Sequence, residues 1–118
     1  MKPVVWGVLS VSTHYTLRVS VPLRDSPVLD MCAIASRSPA KAKSAAQALG
    51  FRKAYGSYEE LLADREIEAV YIVLPNNLHA EWVMRAADAG KHVLCEKPFA
   101  MNAAEAEKAI RYAQKKGV

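Results

Sequence analysis

Two oppositely charged residues, Glu96 and Lys97, follow a short apolar run and precede Pro98. Charge at the end of a buried apolar strand costs free energy unless a partner compensates it, so packing alone does not account for this pair. Proline disfavours helical backbone at the residue before it, which holds Lys97 extended and sets the direction of its side chain. A lysine held there can donate a hydrogen bond or act as an acid. The alternative is a Lys–Glu pair that only closes the edge of a sheet.

Small hydroxyl residues follow the first apolar run, where a dinucleotide-binding loop would carry glycines. The G-x-G-x-x-G pattern requires glycine at three positions that hold Ser10, Ser12 and Tyr15 in this chain. Serine still permits a tight turn, and the hydroxyl groups of Ser10 and Ser12 can donate hydrogen bonds to a pyrophosphate at a helix N-terminus. Tyr15 is bulky for a position where helix and strand pack closely. Taken alone, this loop favours an ordinary strand-to-helix turn over cofactor binding.

Basic residues follow the second apolar run. Arg37 occupies the place where an acidic residue would bind the adenosine ribose of NAD, and Lys41 and Lys43 come one turn later. Guanidinium and ammonium groups suit a 2′-phosphate, so in a dinucleotide fold this pattern predicts NADP as the preferred cofactor, with NAD still possible. A solvated basic start to a helix is the alternative.

Two asparagines and a histidine follow the third apolar run. Pro75 ends the run, and Asn76 and Asn77 offer amides near the start of a predicted helix. For Asn77 we expect a helix cap rather than a ligand contact. His79 lies one turn into that helix, and the pattern leaves open whether it faces the crevice or lies on the surface.

The elements that must position these side chains are four apolar, β-branched runs that alternate with alanine-rich periodic stretches. The runs are nearly continuous in apolar character, which is typical of strands buried on both faces of a parallel sheet. We therefore predict an α/β fold, a doubly wound parallel sheet in three αβα layers, with function at the carboxyl ends of its strands. The predicted strands are Val4–Leu9, Leu29–Ala35, Ala69–Leu74 and His92–Cys95.

Capping residues mark the predicted helices. A serine or asparagine precedes each of four stretches, and a glycine follows three of them. A fifth helix, within residues 13–24, is less clear because threonine and valine weaken helical preference. The predicted starts and ends are Ser38 with Gly50, Ser57 with Ala63, Asn77 with Gly90, and Asn102 with Gly117.

The composition is that of an ordinary globular domain. The 118 residues are 52% hydrophobic and 24% charged, with five glycines and six prolines, which excludes collagen-like and disordered classes. The longest clean apolar run, residues 69–74, is far shorter than the roughly 18–20 residues that span a bilayer, so we predict no membrane partner. The first residues lack a small-residue cleavage site, and we interpret them as a strand rather than a signal peptide.

Charge and cysteine usage narrow the partners further. The net charge of +4 is concentrated in residues 1–59, which suits a small ligand that carries phosphate. Nucleic-acid binding would require a denser basic stripe with interleaved aromatic residues, so we predict no such partner. Cys32 and Cys95 are too few for a disulfide framework or a metal quartet, and we place them on strands about 10 Å apart, beyond disulfide reach. We interpret both as core thiols of a cytoplasmic protein without a metal site.

Five segments of the chain together resemble the N-terminal domain of the Gfo/Idh/MocA oxidoreductases, and they span nearly the whole sequence. The segment that ends in Glu96-Lys97-Pro98 is highly specific, and the block at 54–62 supports it independently. The segments cover residues 6–10, 33–37, 54–62, 75–79 and 89–98. The resemblance implies a Rossmann domain over residues 1–118 that binds NADP or NAD. It also implies hydride transfer between nicotinamide and a sugar, polyol or related alcohol or carbonyl compound.

The resemblance also implies roles for individual residues. Lys97 matches the family's active-site lysine, which hydrogen-bonds the reacting oxygen and assists proton transfer, and Glu96 would lie beside the nicotinamide ribose. The other implied cofactor contacts are Asn76 and His79 on the nicotinamide side, Leu74 and Pro75 in backbone packing around the cofactor, and Ser36 and Arg37 at the adenosine ribose phosphate.

Two departures from the family pattern favour an alternative. The stretch from 11 to 18 carries Ser12, His14 and Tyr15 where glycine, alanine and small residues are usual. Family members also continue past Val118 into a further strand and a C-terminal domain, which supplies substrate contacts and a dimerisation face absent from this sequence. We therefore expect a homo-oligomer only where that domain is present. The alternative is a non-catalytic Rossmann module for nucleotide sensing or protein interaction, against which the intact Glu96-Lys97 pair argues.

Overall fold

The computed structural model describes residues 2–11, 29–95 and 102–118. Its five strands form one parallel sheet in the order β3-β2-β1-β4-β5. The strands are β1 (Val4–Leu9), β2 (Leu29–Ala35), β3 (Lys53–Tyr55), β4 (Ala69–Ile72) and β5 (His92–Cys95). The helices are α1 (Pro39–Leu49), α2 (Tyr58–Leu62), α3 (His79–Asp88), which directly follows a 3-10 turn over Asn76–Leu78, and α4 (Ala103–Lys115).

The four strands predicted from apolar runs are confirmed, although β4 ends at Ile72 rather than at Leu74. The structure adds β3, which has only three residues, occupies the edge of the sheet and includes the exposed Ala54. So short a strand leaves no continuous apolar run in the sequence. The helix predicted within residues 13–24 lies outside the described residues.

Helices cover the sheet on both faces, and β1 contributes side chains to both layers. Val5 and Leu9 pack in a core with α2, α3 and α4, while Val8 packs in a second core with α1. Successive residues of a strand point to opposite faces, so a strand covered on both sides must be apolar at every position. This requirement explains the nearly continuous apolar runs, and the predicted doubly wound α/β fold is confirmed.

Gly7 allows α2 to approach β1 closely. A Cβ atom at Gly7 would lie 2.7 Å from Leu61 Cδ2, and Leu61 is fully buried in the core. The pairing of β1 with β2 shifts at the same place, because Trp6 pairs with Met31 and Gly7 pairs with Ala33. The shift leaves one extra residue in β2 as a bulge.

Three of the four predicted N-caps are confirmed, each by a side-chain oxygen that accepts a hydrogen bond from a backbone N–H three residues later. The accepting residues are Ser38 at α1, Ser57 at α2 and Asn102 at α4. The prediction for Asn77 was wrong, because the chain forms a 3-10 turn there and Leu78 precedes α3 without a side-chain cap. The three predicted glycine stops adopt left-handed backbone with φ between 76° and 82°.

The two cysteines are free, with Cys32 buried and Cys95 half-buried. They lie on β2 and β5, three strand spacings apart in the sheet order, which is roughly 14 Å. The separation is therefore larger than the sequence-based estimate, and it likewise lies beyond disulfide reach. None of the helices in the described ranges is long and apolar enough to cross a membrane.

Candidate functional site

The carboxyl ends of the parallel strands meet at one edge of the sheet, which we call the carboxyl edge. Here β1 lies between β2 and β4, so the chain extends the sheet first to one side of β1 and then to the other. Backbone hydrogen bonds join the loops that follow these strands: Ser10 N–H donates to the Ala35 carbonyl at 2.9 Å, and Val73 N–H donates to the Leu9 carbonyl at 3.3 Å. A crevice at such a switch point is where open parallel sheets bind ligands.

Ser10 adopts the backbone of a glycine. Its φ of 94° makes it the one non-glycine residue with positive φ in the described part of the chain. An L-residue there costs about 1–2 kcal/mol, which the surrounding hydrogen bonds must offset. Ser10 stands where a dinucleotide-binding loop has its first glycine, and the turn has the shape that this glycine allows. Ser12, the second predicted contact in this loop, lies outside the described residues.

A tight turn follows β2 and is held by Ser36. This residue is only 7% exposed, and its Oγ accepts a hydrogen bond from Ser38 N–H at 3.1 Å. Its own N–H donates to the Tyr55 carbonyl, which ties the turn to β3. Ser38 in turn caps α1 by accepting from Lys41 N–H at 3.3 Å. The turn therefore leaves Arg37 exposed immediately before the N-terminus of α1.

Three basic residues surround the start of α1. Arg37, Lys41 and Lys43 are exposed, and none of them forms an ion pair with another described residue. The N-terminus of an α-helix also carries partial positive charge. Both features favour an anion at the end of β2, as the sequence predicts for the 2′-phosphate of NADP.

The loop after β4 is held by a buried histidine. His79 is 1% exposed, and its Nε2 lies 2.7 Å from the carbonyl oxygen of Leu74. The alternative that His79 lies on the surface is therefore wrong. Leu74 is buried and Pro75 is exposed, and the Pro75 carbonyl accepts a hydrogen bond from Leu78 N–H at 2.9 Å. The backbone of Asn76 belongs to the 3-10 turn that this bond closes.

The structure thus brings several of the predicted site residues to the carboxyl edge. Ser10, Ser36 and Leu74 lie in loops that follow adjacent strands, and His79 contacts the third of these loops. Strand β5 ends at Cys95, while Glu96 and Lys97 lie outside the described residues. Their roles remain predictions. No cluster of three or more potential metal-ligating His, Cys, Asp or Glu side chains occurs within the described ranges.

A family model described as an oxidoreductase family with an NAD-binding Rossmann fold matches residues 9–118. The chain belongs to the Gfo/Idh/MocA oxidoreductase family. The resemblance inferred from the motifs is thereby confirmed, and the parallel sheet is a Rossmann-like fold.

Curated relatives of this Gfo/Idh/MocA chain include a sugar dehydrogenase and a diol dehydrogenase. It is 50% identical over 98 residues to a D-xylose 1-dehydrogenase (NADP(+)) of Haloferax volcanii. The aligned region covers 83% of this chain and 30% of the relative. It is also 40% identical over 114 residues to a trans-1,2-dihydrobenzene-1,2-diol dehydrogenase of Xenopus tropicalis. That alignment covers 93% of this chain and 34% of the relative. The chain spans about a third of the length of the curated relatives it matches.

A solved oxidoreductase structure has the same Rossmann-like architecture as this Gfo/Idh/MocA chain. The chain superposes with a TM-score of 0.94 on a 3-ketoreductase from Actinomadura kijaniata, crystallised with TDP-benzene and NADP, at 36% identity. The match covers 99% of this chain and 37% of the ketoreductase. The whole described fold therefore corresponds to one part of a longer oxidoreductase.

The opposite edge of the sheet, which we call the amino edge, carries a charged network that the sequence analysis missed. Lys53 Nζ lies 2.7 Å from Asp64 Oδ2 and 2.9 Å from Glu66 Oε1, and Tyr55 OH donates to Asp64 Oδ2 at 2.6 Å. The buried Lys91 donates from Nζ to the carbonyls of Asp64 and Ile67, each at 2.7 Å. The signal available in the sequence was the acidic loop 64–68, which precedes β4.

These contacts change the pKa values of the amino-edge groups. Burial by itself would raise the pKa of Asp64, but hydrogen bonds from Lys53, Tyr55 and the backbone hold it at about 2. The hydrogen bond to Asp64 raises the pKa of Tyr55 to about 12. Burial, together with a hydrogen bond to Glu66, raises the pKa of Cys32 to about 11, so its thiol stays protonated. The amino edge is therefore an internally neutralised structural network.

Proposed function

We propose that residues 1–118 form the cofactor-binding domain of an NADP-preferring oxidoreductase that moves a hydride between nicotinamide and a sugar, polyol or related alcohol or carbonyl compound. The observation that carries this proposal is the basic group of Arg37, Lys41 and Lys43, unpaired among the described residues at the carboxyl edge. Basic groups without acidic partners attract an anion, and NADP differs from NAD by one phosphate at this end.

The described residues fit such a cofactor at its diphosphate and adenosine ends. The left-handed backbone at Ser10 turns the chain sharply at the end of β1, and such a turn lets backbone approach a diphosphate. We assign Ser10 and Ser12 to the diphosphate, and Arg37 and Lys41 to the 2′-phosphate. Ser36 contributes by shaping the turn that presents Arg37, since its Oγ accepts from Ser38 N–H.

The nicotinamide end is assigned to the loop after β4 and to the segment after β5. We place Leu74, Pro75, Asn76 and His79 on the nicotinamide side, in agreement with the position of their loop at the carboxyl edge. We assign Glu96 to the nicotinamide ribose on the basis of the family motif.

The bound nicotinamide supplies or accepts the hydride, and we assign the accompanying proton chemistry to Lys97. A lysine ammonium can donate a hydrogen bond to the oxygen on the reacting carbon, which polarises a carbonyl or holds an alcohol in place. The xylose dehydrogenase relative carries NADP in its name, and the ketoreductase was crystallised with NADP. Both support NADP as the cofactor, and the xylose dehydrogenase supports a sugar-like compound as the substrate. A further C-terminal domain, a homo-oligomer dependent on it and a cytoplasmic location belong to the same proposal.

Titration of the 118-residue chain with NADPH and NADH, followed by cofactor fluorescence, tests the cofactor assignment. We expect NADPH to bind at least roughly tenfold more tightly than NADH, because a charge-assisted phosphate contact contributes about 1.5–3 kcal/mol. Arg37→Ala should remove most of this difference and leave NADH binding unchanged. Lys108→Ala, which removes an exposed base from α4, serves as the matched control and should change neither affinity. Failure of both cofactors to bind at millimolar concentration would contradict the proposal.

Substitution of Lys97 tests the catalytic assignment in a polypeptide of the relatives' length that carries this domain. We expect Lys97→Ala to lower kcat by about 10²–10⁴-fold, the usual range for a general acid–base group, with the Kd of NADPH nearly unchanged. Wild-type turnover in this variant would exclude Lys97 from the mechanism. NADPH binding without any turnover in the unsubstituted protein would instead favour the non-catalytic nucleotide-binding alternative.

A further inference from the structure

His79 makes a hydrogen bond whose direction is determined by its partner. Its Nε2 lies 2.7 Å from the Leu74 carbonyl oxygen, and the side chain is 1% exposed. A carbonyl oxygen only accepts hydrogen bonds, so Nε2 must carry a proton and donate it. The contact therefore assigns the Nε2–H form to this imidazole.

This bond closes the loop between β4 and α3. It joins the first residue of α3 to a carbonyl five residues earlier, while Leu78 N–H donates to the Pro75 carbonyl inside the same loop. Leu78, which precedes α3, makes no capping hydrogen bond with its side chain. The imidazole thus ties α3 to the loop where the other long helices rely on a serine or asparagine cap.

The tied loop lies directly beside the turn after β1. Val73 N–H donates to the Leu9 carbonyl, and Leu9 immediately precedes Ser10 with its φ of 94°. Leu74 follows Val73 and is itself buried in the core. A shift of the Leu74 carbonyl would therefore move the loop relative to the turn at Ser10.

We propose that His79 is a positioning residue, which holds the 74–78 loop against the turn at Ser10 through its bond to the Leu74 carbonyl and so sets the nicotinamide side of the crevice. This proposal rests on the proposed function, because it concerns the same cofactor. It deepens that function in one respect: a side chain buried to this degree acts on the cofactor through Leu74 and the loop rather than by contact.

Two substitutions separate the hydrogen bond from the volume of the side chain. His79→Gln keeps an N–H donor at a similar reach, while His79→Leu keeps apolar volume and has no donor. His92→Leu is the matched control, because His92 is exposed at the start of β5, at the other edge of the sheet. The probes are NADPH and adenosine 2′,5′-bisphosphate, which lacks the nicotinamide half.

We expect His79→Leu to raise the Kd of NADPH about tenfold, which corresponds to one lost positioned contact of about 1.4 kcal/mol. The Kd of adenosine 2′,5′-bisphosphate for His79→Leu should stay within about twofold of the wild-type value. His79→Gln should restore most of the NADPH affinity, and His92→Leu should change neither ligand. A merely structural role would weaken both ligands equally, and that result would overturn the proposal.

Two measurements on the wild-type chain keep the proposal falsifiable even where a variant does not fold. Long-range proton–nitrogen NMR should find the proton on Nε2 of His79, and the Leu78 amide should exchange slowly with solvent. A proton confined to Nδ1 would overturn the proposal. Absence of NADPH binding by the wild-type chain would overturn the proposed function. If the wild-type chain binds NADPH and His79→Leu binds it with the same Kd, the role proposed for His79 is overturned while the proposed function stands.

Discussion

At the amino edge of the sheet, Lys53 lies 2.7 Å from Asp64, whereas at the carboxyl edge Arg37 has no ion-pair partner among the described residues. The Asp64 carboxylate accepts three hydrogen bonds, from Lys53, from Tyr55 and from the N–H of Glu66. Charges that are paired within the fold contribute to its stability, while unpaired charges are available to a ligand. The described part of the sheet thus has its paired charges near the amino ends of its strands and unpaired basic groups at the carboxyl ends, where we propose that the cofactor binds.

The backbone shows the same contrast. The turn after β1 holds Ser10 at a φ of 94°, which costs free energy in an L-residue. At the amino edge, Lys91 instead satisfies two loop carbonyls with one buried ammonium group. The carboxyl edge therefore contains a strained turn, whereas hydrogen bonds within the fold satisfy the loop carbonyls at the amino edge.

Loss of the Asp64 carboxylate should give the largest effect on stability. We expect Asp64→Asn to lower the free energy of unfolding by about 2–3 kcal/mol, because it removes the charge that Lys53 and Tyr55 share. Urea denaturation followed by circular dichroism measures this change. Asp30→Asn is the control, since its pair with Arg52 is exposed and should contribute under about 1 kcal/mol. If Asp64→Asn lowers the affinity for NADPH as strongly as it lowers the free energy of unfolding, the amino edge is not purely structural and the distinction between the two edges fails.

Acid should act mainly through the amino edge. The pKa of Asp64 in the folded chain is about 2, below its ordinary value of 3.8, so its stabilising contribution is complete above pH 3.8. That contribution is lost as the pH falls towards 2, and it amounts to about 2 kcal/mol for a shift of this size. Unfolding free energies measured between pH 5 and 2 should therefore fall less steeply in Asp64→Asn than in wild type. Equal slopes in the two proteins would show that Asp64 does not carry this dependence.

The smallest expected effect is at Ser10. Ser10→Gly removes a left-handed L-residue, which gains about 1–2 kcal/mol, and adds unfolded-chain entropy of about 0.5–1 kcal/mol. We expect a net gain of about 0.5 kcal/mol in the free energy of unfolding, again by urea denaturation. Gly50→Ser is the converse control, since Gly50 has a φ of 82° in open space, and it should destabilise the chain. A loss of stability in Ser10→Gly would mean that the turn is not strained.

Local signals made much of the fold predictable. The runs that became β1, β2, β4 and β5 are apolar throughout because both faces of the sheet are covered, and that requirement is visible in the sequence. Side-chain caps such as Ser57 act within three residues, so they too are visible. Five segments, among them the one that ends at Glu96-Lys97-Pro98, together indicated the family, which the family model matches over residues 9–118.

The features that escaped prediction depend on contacts between distant or irregular parts of the chain. Lys53 and Asp64 are eleven residues apart and meet only because α2 returns the chain to the amino edge. His79 finds its partner only when the preceding residues form a 3-10 turn, which also displaced the cap predicted at Asn77. Strand β3 forms by pairing with β2, and its three residues are too few to leave a recognisable apolar run in the sequence.

We propose that the carboxyl edge binds NADP(H) and that the amino edge does not. Amide chemical shifts of the isotope-labelled chain, recorded during titration with NADPH, test it most directly. We expect shifts at Ser10, Ser36, Arg37 and Leu74, which lie on loops at the carboxyl edge, and constant positions for the amides of Asp64, Glu66 and Lys91 at the amino edge. Shifts concentrated at the amino edge, or none up to millimolar NADPH, would contradict the account.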